Sequence, residues 1–158
     1  MRILVLSDIH GDLHSAMRAV NAQPEAEVIV FCGDGAEQFQ YLKDTLTNKT
    51  VVGVRGNCDW SSVLPVTETI TVGGKTLFIT HGHVYQAKFS IYNMVCAARE
   101  AKADILLYGH THCAMNEYDD GLYIMNPGHC SGYGASYGYI DITDKGDIVT
   151  NIVRINDR

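Results

Sequence analysis

Ile3-Leu4-Val5-Leu6-Ser7-Asp8-Ile9-His10 decides how this chain is read. A short apolar run of this kind is a buried strand, and it ends on two metal-competent side chains, Asp8 and His10. The same pattern recurs four more times. Val28-Ile29-Val30-Phe31 leads to Gly33-Asp34, and Val51-Val52-Gly53-Val54 to Gly56-Asn57-Cys58-Asp59. Leu77-Phe78-Ile79 leads to His81-Gly82-His83, and Ile105-Leu106-Leu107 to Gly109-His110-Thr111-His112. In α/β proteins, ligands bind outside the carboxyl ends of the strands. Five strands thus deliver Asp, His and Asn to one sheet edge, a hard-to-borderline donor set large enough for two ions.

The elements follow outward from these strands. Strands over residues 2–7, 27–31 and 51–54 alternate with helices over 14–22 and 36–46. Such a βαβαβ run implies parallel pairing with right-handed crossovers. Gly73-Gly74 between residues 67–72 and 75–80 reads as a tight hairpin. Residues 89–103 read as a helix, with Ile91, Met94, Val95 and Ala98 on one face. A strand over 104–108 follows, then a meander over 114–118, 122–126, 136–142 and 147–155. Three helices cover both faces of one sheet poorly. Two mixed β-sheets packed face to face and flanked by helices bury everything, which predicts a four-layer α/β/β/α sandwich, one domain over residues 1–158.

Hydrophobic residues make up 46% of the chain, which excludes a disordered tail protein. No apolar run approaches the ~18–20 residues that span a bilayer. The first strand starts at Arg2, leaving no room for a cleaved signal peptide, so a cytoplasmic protein is expected. Lys plus Arg number 12 against 18 Asp plus Glu, a formal charge of −6. That argues against nucleic acid as partner, because phosphate backbones are held by clustered cations. A small phosphate ester is still compatible, since two divalent ions add about +4 locally. The five cysteines are odd in number and form no Cys-x-x-Cys pair, so neither a disulfide framework nor a zinc ribbon fits. Cys32 and Cys96 are expected as buried thiols, whereas Cys58 lies inside a motif.

The order Asp-x-His, Gly-Asp, Gly-Asn-x-Asp, His, Gly-His-x-His resembles the calcineurin-like metallophosphoesterase superfamily. Spacing and length resemble most its small prokaryotic branch, the YfcE-type phosphodiesterases. The resemblance implies the same four-layer sandwich and a binuclear centre. Asp8, His10 and His112 would bind the first metal, Asp34 would bridge, and Asn57, His81 and His110 would hold the second. The subfamily points to two Mn²⁺ ions, and oxygen and imidazole donors equally suit Fe, Ni or Zn. A hydroxide bridging ions ~3.5–4 Å apart would attack phosphorus in line. The implied activity is a phosphodiesterase on a small phosphodiester or activated phosphate ester. The alternatives are a phosphomonoesterase and a non-catalytic scaffold of the same fold. A scaffold should have lost ligands, and this chain keeps all seven. A homo-oligomer is compatible with all three.

The sequence departs from the wider superfamily at Cys58. Larger phosphatases carry His there, paired with the acidic residue that follows, to help the leaving group. Here the pair reads Cys58-Asp59, so the expected catalytic set is Asn57, His81, Asp59 and Cys58, with a weak donor at 58. General acid help is typically worth ~10²–10⁴ in rate. His83 and His129, beside the site loops, are the candidate replacements. Trp60 is placed at the site mouth, and Asn126-Pro127-Gly128 resembles the loop that closes the subfamily's site. Asp8 and His10 alternate about Ile9, as do His110 and His112 about Thr111, which would point each pair to one side. The glycines at 33, 56 and 109 fit positions where backbone crowds a ligand or takes positive φ.

Overall fold

The computed structural model describes residues 1–156. Asp157 and Arg158, the end of the expected domain, lie outside the described residues. Strands β1 (Arg2–Leu6), β2 (Ala26–Phe31) and β3 (Thr50–Gly53) pair in parallel, joined through helices α1 (Leu13–Ala22) and α2 (Ala36–Thr45). The chain then crosses to a second sheet. There β4 (Thr67–Val72) and β5 (Lys75–Thr80) form the hairpin about Gly73-Gly74, and β5 pairs in parallel with β6 (Ile105–Leu107). The sheet orders are β10-β9-β1-β2-β3 and β4-β5-β6-β8-β7.

The expected meander is not formed. β7 (Met115–Asp119) is an edge strand, and β8 (Leu122–Asn126) returns between β7 and β6, parallel to β6. β9 (Ser136–Ile142) and β10 (Ile148–Arg154) then cross back to the first sheet, β9 antiparallel to β1 and β10 antiparallel to β9 at the edge. The physical reason lies in composition. β8 is apolar and almost wholly buried, so it takes an interior place, while polar Met-Asn-Glu-Tyr-Asp tolerates an edge.

Strand alternation sorts the core. Ile3, Val5, Val28 and Val30 face Leu77, Ile79, Ile105 and Leu107 between the sheets. The intervening Leu4, Leu6, Ile29 and Phe31 pack under α1 and α2. On the far side, Phe78 and Leu106 meet Met94 and Ala98 of α3 (Tyr92–Glu100). The four layers are therefore helix, sheet, sheet, helix. Helix α3 is shorter than the periodicity predicts. Ser90 Oγ accepts from Tyr92 N at 3.1 Å at its start, and Lys102 takes φ 54° just past its end. Cys96 is exposed rather than buried, because it stands off the apolar stripe; Cys32 is buried as expected. None of the described helices is long and apolar enough to cross a membrane.

Candidate metal centre

The carboxyl ends of β1, β2, β3, β5 and β6 meet at one rim that joins the two sheets. There the backbone leaves the strand conformation at once. Asp8 (φ 52°), His10 (44°), Asp34 (62°), His110 (68°) and His112 (60°) are all left-handed. That region is uncommon without glycine, though Asp and His visit it more than most, and such strain collects at functional sites. Strand alternation therefore does not explain why Asp8 and His10 share a side. β1 has already ended, and two left-handed residues turn both side chains to the rim while Ile9 stays buried in the helix-side core. The glycines divide in their duties. Gly33 takes φ 99°. Gly56 and Gly109 serve close approach: a Cβ on Gly56 would strike Asp34 Oδ1, and one on Gly109 would strike Ser7 Oγ and Asp8 Oδ2.

Asp8 is the hub of the cluster and is fully buried. Its Oδ2 accepts from Ser7 Oγ at 2.6 Å and from His110 N at 3.1 Å. Its Oδ1 is buried with no hydrogen-bond partner. Around that atom stand His112 Nε2 at 3.1 Å, His10 Nε2 at 3.5 Å and His81 Nε2 at 4.0 Å. Asp34 Oδ1 accepts from Cys58 N at 2.8 Å, while Oδ2 faces His81 Nε2 at 3.2 Å and His10 Nε2 at 3.9 Å.

His81 shows what the cluster requires. Its Nδ1–H donates to the Cys32 carbonyl at 2.7 Å, which fixes the tautomer. Nε2 of the neutral ring then carries a lone pair, yet it faces Asn57 Oδ1 at 3.0 Å as well as Asp34 Oδ2. Acceptors converging on acceptors need a proton or a cation between them. Without an ion the proton is the answer. Burial pulls His81 down, but the Asp34 hydrogen bond and the charges of Asp8 and Asp34 outweigh it and raise its pKa. Asp34 is held well below the usual carboxylate range: burial opposes this, and the bonds from His81 and Cys58 N prevail. Asp8 Oδ1 is left buried without a hydrogen-bond partner. Three sets of groups, each within 4.8 Å, converge among the described residues: Asp8-His10-His112, Asp8-Asp34-His81 and His10-Asp34-Cys58. The donor set fits divalent cations. His81 bound to a carbonyl through its other nitrogen is the arrangement usual for ligating histidines.

The remaining expected residues divide. His110 lies beside His81, ring centroids 5.0 Å apart, and belongs to none of the three convergent sets. Burial, with the charge of His81, pushes it down to about 4, which keeps it neutral with a free lone pair. Burial and the charges of Asp34 and Asp59 raise the Cys58 thiol, so it stays protonated. Asp59, expected in the catalytic set, is held by the backbone around it. Its two oxygens accept four backbone N–H groups, from Asp34 (2.8 Å), Gly35 (2.9 Å), Ala36 (2.9 Å) and Gly56 (2.8 Å). It braces the Asp34 loop and caps α2, whose own N-cap Gly35 has no side chain to do so. A carboxylate offers about four lone-pair sites, all used here.

His83 and His129 both reach the cluster. The His83 ring lies 5.4 Å from that of His81, and its Nδ1 is buried without a partner. The His129 ring lies 5.6 Å from that of His112, with Nδ1 donating to Ser131 O at 2.8 Å. Sequence reasoning missed the supports. Ser131 Oγ donates to the Asp8 carbonyl at 3.1 Å. Buried Asn126 donates to Gly109 O and Thr111 Oγ1, both at 3.0 Å, and accepts from Gly128 N at 3.0 Å, which locks the loop carrying His110 and His112. The Asn-Pro-Gly run marked that loop; nothing in the sequence singles out Ser7 or Ser131.

Comparison with known proteins shows the family and the fold. The chain is 32% identical to the probable metallophosphoesterase YsnB of Bacillus subtilis, over 81% of this chain and 74% of YsnB. It is 30% identical to the phosphodiesterase YfcE of Escherichia coli K12, over 100% of this chain and 94% of YfcE. The fold also matches the crystal structure of Vps29 from Entamoeba histolytica complexed with Zn²⁺. That match has a TM-score of 0.73 at 22% identity and covers 99% of this chain and 100% of that one. The calcineurin-like phosphoesterase superfamily domain is matched from residue 1 to residue 145, and the chain belongs to that superfamily.

Proposed function

We propose that residues 1–158 act as one domain, a binuclear metal-dependent phosphodiesterase for a small phosphodiester or activated phosphate ester. The observation that carries this is Asp8 Oδ1, a buried carboxylate oxygen without a partner at the meeting point of three imidazole nitrogens. Superfamily membership and the names of YsnB and YfcE support the same reading. In this reading Asp8, His10 and His112 hold one cation, Asn57, His81 and His110 the other, and Asp34 both. We assign Mn²⁺, following the subfamily resemblance; the oxygen and imidazole donors suit it. Two such ions supply Lewis acidity at a phosphoryl oxygen and make a hydroxide nucleophile accessible near neutral pH.

The chain's own groups do the rest. Cys32 O holds the His81 tautomer, Ser7 and the His110 N–H fix the rotation of Asp8, and Cys58 N–H fixes Asp34. The neutral Cys58 thiol is a weak donor, so position 58 offers no imidazolium, and activated leaving groups suit the site. A diester brings one negative charge and a monoester nearly two. The diester is preferred here on the name of the related phosphodiesterase YfcE. Mn²⁺-loaded protein should therefore hydrolyse bis(4-nitrophenyl) phosphate with a higher kcat/KM than 4-nitrophenyl phosphate. A diester rate far below the monoester rate refutes this choice.

Stability gives a second check that does not depend on turnover. Ions that bind only the folded rim stabilise it by mass action, by about 2.7 kcal/mol at a free concentration near 100 Kd. For a chain of this size that corresponds to a rise of roughly 5–10 °C in melting midpoint. An unchanged midpoint in saturating Mn²⁺ counts against a preformed site.

A further inference from the structure

Beside the metal rim lies a cleft of about 670 Å³ that shares His10, Asp34 and Cys58 with it. One wall is the start of α2, including Glu37 and Gln38. The other is the loop after β3, with Trp60, Val63 and Leu64. Trp60 is 89% exposed and Val63 99%. They do not sit on a free tip. Asp59 anchors the loop's start, Ser62 N donates to Asp59 O at 3.1 Å, and Arg55 N donates to Pro65 O at 2.9 Å at its far end. Leu64 packs into the helix-side core. The fold thus holds an indole and an isopropyl group out in water, next to the place where the phosphate is read to bind.

The charge around the cleft says what the occupant is. No Lys or Arg lines it, and Glu37 adds a carboxylate. The N–H groups of Gly35 and Ala36, the natural anion site of α2, are already taken by Asp59. A second phosphate would meet the carboxylate of Glu37 and no cation among the lining residues. A flat uncharged ring would meet an indole face, an apolar side chain and the amide of Gln38. We propose that the cleft is the subsite for an uncharged aromatic substituent of the phosphodiester, an aryl or nucleobase ring stacked on Trp60. This rests on the phosphodiesterase reading and deepens it. It excludes substrates that place a further phosphate on that side, such as a nucleoside di- or triphosphate bound along the cleft.

Trp60 is the chain's single tryptophan, so its fluorescence reports this subsite alone. The probes are phenylphosphonate and methylphosphonate, titrated into Mn²⁺-loaded protein by calorimetry and by tryptophan emission. Phenylphosphonate should bind about 10-fold tighter, the order expected of stacking on an aromatic side chain. It alone should alter the emission. Trp60→Ala should erase the preference and Trp60→Phe should keep most of it. Equal affinities, or a phenyl preference that survives Trp60→Ala, overturn the subsite. Hydrolysis of bis(4-nitrophenyl) phosphate by the same preparation separates the two readings. Hydrolysis without ring preference removes the subsite and leaves the phosphodiesterase standing. Ring preference without hydrolysis does the reverse, and binding of neither phosphonate, with no hydrolysis, overturns both.

Discussion

Asp34→Asn is expected to lose about three orders of magnitude in diester kcat/KM, at the upper end for removal of a preorganised electrostatic group. The size follows from which oxygen is already committed. Cys58 N–H requires an acceptor at the Oδ1 position, 2.8 Å away. The asparagine oxygen must take that place, which puts the amide NH₂ where Oδ2 now faces His81 and His10. The substitution removes a negative charge and also aims two hydrogens at the groups proposed to share the cations. Both sites should weaken together, so elemental analysis of protein reconstituted with Mn²⁺ should show fewer than the about two ions per chain expected of a two-metal site. Full metal content in Asp34→Asn removes Asp34 from the bridging role even if activity falls.

Much of this centre was legible because each strand carries its ligand at its own end. The apolar run 3–6 and the polar Asp8-Ile9-His10 are contiguous, so finding one finds the other. What was not legible is how the side chains come to point together. Five site residues adopt positive φ, which spacing does not encode. The alternation argument for Asp8 and His10 reached the right grouping from the wrong conformation. The strand order after β6 was missed although its signal was present, since the contrast between polar 115–119 and apolar 122–126 places the second inside the sheet. For Asp59 the sequence shows the motif but not the hydrogen-bond partners. Three of its four donors lie 23 to 25 residues earlier, at Asp34, Gly35 and Ala36, and only Gly56 is local. The resemblance supplied a role for a carboxylate at that position, and only the packed fold shows that its lone pairs are already spent.

Asp59→Ala separates a brace from a proton-transfer partner. The variant strands four N–H groups, three of them in fully buried bonds. Unsatisfied buried donors cost on the order of 1–3 kcal/mol each, and partial relaxation and water entry reduce the total. A loss of about 3–5 kcal/mol is expected, which for this length is a fall of roughly 10 °C in melting midpoint. Activity should drop as well, because the same bonds hold the loops of Asp34 and Asn57 in register. The pattern across substrates decides between a brace and a proton-transfer partner. If Asp59 served a donor at position 58, its loss would grow with leaving-group pKa, small on nitrophenyl esters and large on alkyl esters. A brace predicts a uniform loss over the whole series, together with lowered metal content and a lowered midpoint. The same geometry bears on Cys58→His. An imidazole introduced there finds no free lone pair on Asp59 to orient it, so this variant should gain nothing selective on poor leaving groups. A selective gain in Cys58→His, or a leaving-group-dependent loss in Asp59→Ala at an unchanged midpoint, would return Asp59 to the catalytic role that its place in the third motif suggested.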